Sequence, residues 1–78
     1  VTRAEYNLNL GRSMRAKRMR FDLRQADLAL LLGVSESSVS NWETGCGMNA
    51  YTRFRIGVLF NKTPEQIKAL LAEKSVNA

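Results

Sequence analysis

The chain has 78 residues, enough for one small domain spanning residues 1–78, and 45% of them are hydrophobic, too many for a disordered chain. Twelve Lys and Arg against seven Asp and Glu give a net charge of +5, while the absence of His and the single Cys exclude a zinc site and the Ser-His and Cys-His nucleophile pairs. No Gly-rich phosphate loop and no dinucleotide fingerprint occurs, so neither an enzyme nor a protein with a metal or cofactor is expected.

Helix 1 is predicted to start at Thr2, with Glu5 closing a capping box, and to run to about Arg20. Tyr6, Leu10, Met14 and Met19 are expected to face inward. Gly11 weakens such a helix by about 1 kcal/mol relative to Ala, which predicts fraying before Leu10. This part of the chain is strongly basic: up to residue 24 it carries Arg3, Arg12, Arg15, Lys17, Arg18, Arg20 and Arg24 against Glu5 and Asp22. A cluster of that kind is the footprint of a surface for a polyanion, most often nucleic acid; a solvated helix face has the same composition.

Phe21, Asp22 and Leu23 form a turn, Asp being one of the few residues that tolerate a left-handed backbone. Helix 2 is predicted over about 25–32, with Leu28, Ala29 and Leu32 on one face and Gly33 as a left-handed cap. Its own cap is weak. Arg24 cannot accept an amide hydrogen bond, a loss of about 1 kcal/mol that Asp27 in the first turn offsets through the helix dipole. Leu30 and Leu31 either cover helix 1 or helix 5, or form an exposed patch for a partner protein.

Ser35 caps helix 3, which spans about 35–44 and stops at Gly45. Val39 and Trp42 face the core, which leaves Glu36, Ser37, Ser40 and Asn41 on the other sides. Residues 46–50 read as a loop. Helix 4 covers roughly 51–60, anchored by Phe54, Ile56, Leu59 and Phe60. Helix 5 has the clearest start: Thr63 caps it, Pro64 sits where its missing N–H costs nothing, and Gln66 closes the box. Ile67, Leu70 and Leu71 form its apolar stripe, and the tail after Glu73 is expected to fray.

The stretch 25–44 has the spacing of a helix-turn-helix. Ala29 is small enough for two helices to cross sharply, Gly33 supplies a positive φ in the turn, and Val34, Val39 and Trp42 lock the second helix onto the first. The outer face of helix 3 is then free of the core and has the size to enter the major groove of B-form DNA.

The run LGRSMRAKRMRFDLRQADLALLLGVSESSVSNWETG resembles the helix-turn-helix of the phage repressor and Cro family, also called XRE-like. Leu10-Gly11, Arg18, Leu23, Gln25, Leu28-Ala29, Gly33-Val34, Ser35, Val39, Trp42-Glu43 and Gly45 carry the resemblance, which covers residues 10 to about 67. It implies an all-α fold, a compact five-helix bundle of the lambda-repressor type with its helix-turn-helix in helices 2 and 3. It implies a sequence-specific regulator of transcription, a repressor that binds a double-stranded DNA operator as a homodimer, at least on DNA.

The resemblance also assigns residues. Gln25 touches a phosphate and braces helix 3, Ser35 meets the backbone, and Glu36, Ser37, Ser40 and Asn41 contact bases. The side-chain chemistry agrees, since Asn pairs with adenine, Glu accepts from the cytosine amine and Ser serves either role. Without the motif these would be ordinary polar residues on an exposed helix. Glu36 is the weak member, because phosphate repels an acid that also stabilises its helix N-terminus. Arg18 and Glu43 hold the positions of an ion pair tying helix 1 to the end of helix 3. Arg24 is assigned to a phosphate. Loop 46–50 lacks the bases that the family often places there, so backbone contact is assigned to Arg53, with Arg55 beside it.

Other readings of the same residues stay open. They are the antitoxin of a toxin–antitoxin pair, the controller of a restriction–modification system, and, in another class, a module that uses the fold to bind protein. A toxin or an antirepressor is the protein partner they would imply. The loop after helix 3 and helix 5 are the expected dimer interface, with Met48 and Leu71 as candidates, and Cys46 reads as an inert surface thiol. No run approaches the ~18 apolar residues of a membrane span. The first residues contain no apolar signal segment. One Cys cannot form a disulfide within the chain, which fits a reducing cytoplasm, and the resemblance implies a bacterial or phage-encoded protein. The chain begins at Val1 rather than Met, as a trimmed piece of a longer protein would.

Overall fold

A computed structural model describes residues 1–77 and shows five helices: α1 (Arg3–Arg20), α2 (Gln25–Leu32), α3 (Glu36–Glu43), α4 (Ala50–Phe60) and α5 (Pro64–Asn77). Among the described residues there is no strand. α3 packs on α1 and α2, and α2 also packs on α5.

Each helix start has a local cause. Thr2 Oγ1 accepts from the Glu5 amide at 3.1 Å, although the Glu5 carboxylate meets the Thr2 hydroxyl rather than its backbone amide, so the box is half-formed. Thr63 and Gln66 close a full box: Gln66 N donates to Thr63 Oγ1 at 3.2 Å and Thr63 N to Gln66 Oε1 at 2.9 Å. α4 starts one residue earlier than expected because Asn49 caps it, its Oδ1 accepting from Thr52 N at 2.8 Å.

α1, α2 and α3 end in the same way. After each, one residue takes a positive φ: Asp22 at 58°, Gly33 at 70° and Gly45 at 107°. The next amide then reaches back across the last turn, Leu23 N to Arg18 O at 3.1 Å, Val34 N to Ala29 O at 3.0 Å and Cys46 N to Asn41 O at 2.9 Å. This Schellman closure satisfies carbonyls that a helix end leaves open, and it fixes the direction in which the chain leaves.

The core is drawn from all five helices, with Leu28, Val39 and Ile67 fully enclosed by Met14, Leu23, Ala29, Leu31, Leu32, Ile56 and Leu59. Leu31 is therefore core, and Leu30 is half-buried. Phe21 stacks on Phe60 with centroids 5.5 Å apart, joining the α1–α2 turn to the end of α4.

Three residues expected to face inward do not, for a geometric reason. Tyr6 and Met19 are exposed, because Gly11, Met14 and Arg18 occupy the inward stripe of α1 at helical spacing. Phe54 is exposed, because Ile56 and Leu59 take the inner face of α4 and Phe54 projects almost opposite Ile56. α1 runs unbroken from Arg3 through Gly11, which lies against the backbone of α3. α5 continues past Glu73 to Asn77.

Candidate nucleic-acid interface

α3 is held at its C-terminal end by a buried polar junction of three helices. Arg18 of α1 donates from Nε to Glu43 Oε2 at 2.7 Å and from Nη2 to Glu43 Oε1 at 3.0 Å, a bidentate pair, while its Nη1 donates to Leu23 O at 2.7 Å. Gln25, the first residue of α2, donates from Nε2 to the same Glu43 Oε1 at 3.1 Å. Both charges are nearly out of water, and among the described residues no buried side-chain polar atom lacks a partner. Arg18 is thus consumed inside the molecule and does not belong to the surface charge of α1.

From this anchor α3 presents its other sides. Glu36, Ser37 and Asn41 are exposed and Ser40 is half-buried. Ser35, also exposed, has its hydroxyl engaged by the Ser38 amide at 3.1 Å and by the Ser38 hydroxyl at 2.9 Å. Ser40 and Asn41 sit at the firm end of the helix. Their carbonyls accept from Thr44 Oγ1 at 3.0 and 3.1 Å, and that of Asn41 also from Cys46 N.

At the start of α2, Arg24 and Asp27 form a closed unit. Asp27 Oδ2 accepts from Arg24 N at 2.9 Å and from Arg24 Nε at 3.2 Å, while Asp27 Oδ1 accepts from Nη2 at 2.9 Å. The Arg24 side chain does not cap the helix, since a guanidinium has no acceptor; Asp27 compensates by a direct hydrogen bond rather than through the dipole alone. The guanidinium hydrogen bonds hold the Asp27 carboxyl below the usual carboxylate range. Bonding to Asp27, and secondarily the charges of Asp27 and Glu36, raise the Arg24 pKa further above its ordinary value.

The two arginines of α4 lie apart from these groups and from each other. Arg53 is exposed and reaches Tyr6 of α1, its Nη1 donating to the phenolic oxygen at 3.4 Å, beside a cleft edged by Arg3, Asn7 and Asn49. Arg55 lies over the Tyr51 ring, 5.7 Å from its centroid, on the flank that faces α2 and α5.

The structure thus brings Arg18, Gln25 and Glu43 into one network, pairs Arg24 with Asp27, and leaves Arg53 on another helix. Three relationships were missed from sequence. Asn49 as a cap was readable from Asn itself, a favoured N-cap type just before the helix. The hold of Asp27 on Arg24 N was readable as the acidic half of a capping box. The backbone contact at Gly11 had only the glycine itself as a signal.

Among the described residues no helix is long and apolar enough to cross a membrane, and no group of three or more His, Cys, Asp or Glu is placed to hold a metal. Residues 14–50 match a family model described as helix-turn-helix. No curated protein and no solved structure matches the chain. The match begins at Met14, includes Arg18 and Glu43, and ends at the first residue of α4. The chain is an all-helical fold that carries, within residues 14–50, a helix-turn-helix formed by α2 and α3.

Proposed function

We propose that the chain binds double-stranded DNA in a sequence-specific way and regulates transcription, as a repressor of the phage-repressor and Cro type. The carrying observation is the division of labour on α3. One end is fixed by the Arg18–Glu43–Gln25 network, and the face with Glu36, Ser37 and Asn41 stands open. A rigid helix with an unoccupied polar face suits base readout, which tolerates little misplacement. The family match supports the same reading.

In this proposal α3 enters the major groove. Glu36, Ser37, Ser40 and Asn41 meet base edges, with Ser40 reaching less far because it is half-buried. Arg24, Gln25, Ser35 and Arg53 meet the backbone. Gln25 has one amide hydrogen on Glu43 and keeps its other for a phosphate. Two copies read two half-sites. Met48 and Leu71, both half-buried against the core, keep part of their surface for such an interface. The loop after α3 and helix α5 supply that interface, and α5 carries exposed charges of both signs, Glu65, Lys68, Glu73 and Lys74.

The test separates specificity from affinity. Asn41→Ala is expected to lose about 1–3 kcal/mol on a selected operator and little on random duplex. Arg53→Ala is expected to weaken both alike and to lower the salt slope by about one unit. Equal losses for Asn41→Ala on both duplexes would remove α3 as the reading helix.

A further inference from the structure

We propose a second binding surface, for protein, on the outer stripe of α4. Tyr51, Phe54 and Val58 follow one another at helical spacing and are 68%, 68% and 46% exposed. Two grooves border the stripe. On the α1 side Lys17 and Arg53 line one with Phe54, Gly57 and Val58; on the other side Arg55 and Lys62 line one with Phe54, Val58, Leu31 and Leu70. Neither groove has an acidic residue in its wall, and α4 itself contains none.

An apolar stripe with cations along both edges selects its occupant by charge. The partner is an amphipathic segment whose apolar side chains, three or four residues apart, seat on Phe54 and Val58, with Asp or Glu on both borders to meet Arg55, Lys62, Lys17 and Arg53. Aromatic and Arg side chains are the types that anchor such helix-in-groove contacts. A second copy of this chain fits poorly, because two-fold pairing of α4 would set Arg53, Arg55 and Lys62 against themselves with no acid between. Duplex DNA fits poorly too: a phosphate backbone would engage the edges but leave Tyr51, Phe54 and Val58 facing a charged, hydrated surface. The stripe is distinct from the open face of α3 and shares only Arg53 with the DNA reading, so the charge test below rests on Arg55 and Lys62, which that reading does not use.

The experiment presents the whole chain to a phage-displayed library of random peptides about 16 residues long, with Phe54→Ser as the counter-target. Phe54 is exposed, so its replacement leaves the core intact. Recovered peptides are expected to carry the apolar pair with flanking acids. In fluorescence anisotropy their affinity should fall roughly tenfold or more for Phe54→Ser and for the Arg55→Glu/Lys62→Glu double variant. Duplex binding by Phe54→Ser should be unchanged. The proposal is overturned by recovery of no Phe54-dependent peptide, or of peptides without acids. It is equally overturned by self-association in sedimentation that Phe54→Ser abolishes, which identifies a second copy, or by weaker duplex binding of Phe54→Ser, which identifies DNA.

Discussion

Gly11 of α1 lies directly against the backbone carbonyl of Trp42 in α3, so the two helices cross with no side chain between them. A Cβ at position 11 would overlap the Trp42 carbonyl oxygen and stand 3.0 Å from that of Glu43, and backbone cannot turn aside as a side chain can. Gly11→Ala is therefore expected to destabilise by about 1–3 kcal/mol, despite the roughly 1 kcal/mol that Ala gains over Gly within a helix. Gly57, in α4, has nothing within 4 Å of its Cβ position. Gly57→Ala should stabilise by about 0.5–1 kcal/mol. Urea melts of the two variants should shift in opposite directions.

The Arg18–Glu43 pair should show strong coupling. Glu43→Ala leaves a buried guanidinium with only Leu23 O and removes the partner of Gln25, a loss of about 3–5 kcal/mol. A double-mutant cycle with Arg18→Met isolates the pair; a coupling energy of zero would make it two independent charges.

Asp27 predicts a pH dependence with a definite sign. Its folded pKa lies below the ordinary value, first because of the Arg24 side-chain hydrogen bonds. A depressed carboxyl contributes its full stabilisation above the unfolded pKa, about 3.9, and loses it as pH falls through the lower folded value. The stability gap between the wild type and Asp27→Asn should thus be constant from neutrality to about pH 5 and shrink below. Urea melts at stepped pH measure it, and a gap that widens on acidification contradicts the assignment.

If the chain acts as a two-fold dimer on DNA, its selected site should be a pseudo-palindrome with half-site centres about 34 Å apart, one turn of the duplex. Selection from a random duplex pool gives the spacing directly. A single asymmetric half-site bound by one copy would contradict it.

The parts legible in the sequence were those set by local chemistry. Gly33, Ser35, Thr63 and Gln66 act where their side chains, or the lack of one, must act, within one turn of their own position. The Arg18–Glu43 pair, 25 residues apart, was reached only through the family resemblance, because no local pattern reports so distant a contact. Periodicity misled at Met19 and Phe54. Met19 lies one position from the inward stripe and Phe54 almost opposite it, and only the packing of Arg18 and Ile56 shows which apolar residues of these helices turn inward. Gly11 was read by propensity as a weakness, whereas the missing side chain is the contact itself.

The junction at Glu43 has a consequence for how such a protein can change. Among the described residues, the side chains of Glu36, Ser37 and Asn41 make no hydrogen bond to the rest of the molecule; the bonds that orient α3 belong to Glu43 and to backbone atoms. Substitutions of Ser37 and Asn41 are then nearly free of folding penalty, since surface changes away from caps and networks fall within about 0.5 kcal/mol, and that of Glu36 costs only its favourable interaction with the helix N-terminus. A lineage carrying this fold can alter these three positions one at a time, each intermediate remaining folded, and so acquire a new preference by inheritance of single steps rather than by redesign of the whole domain.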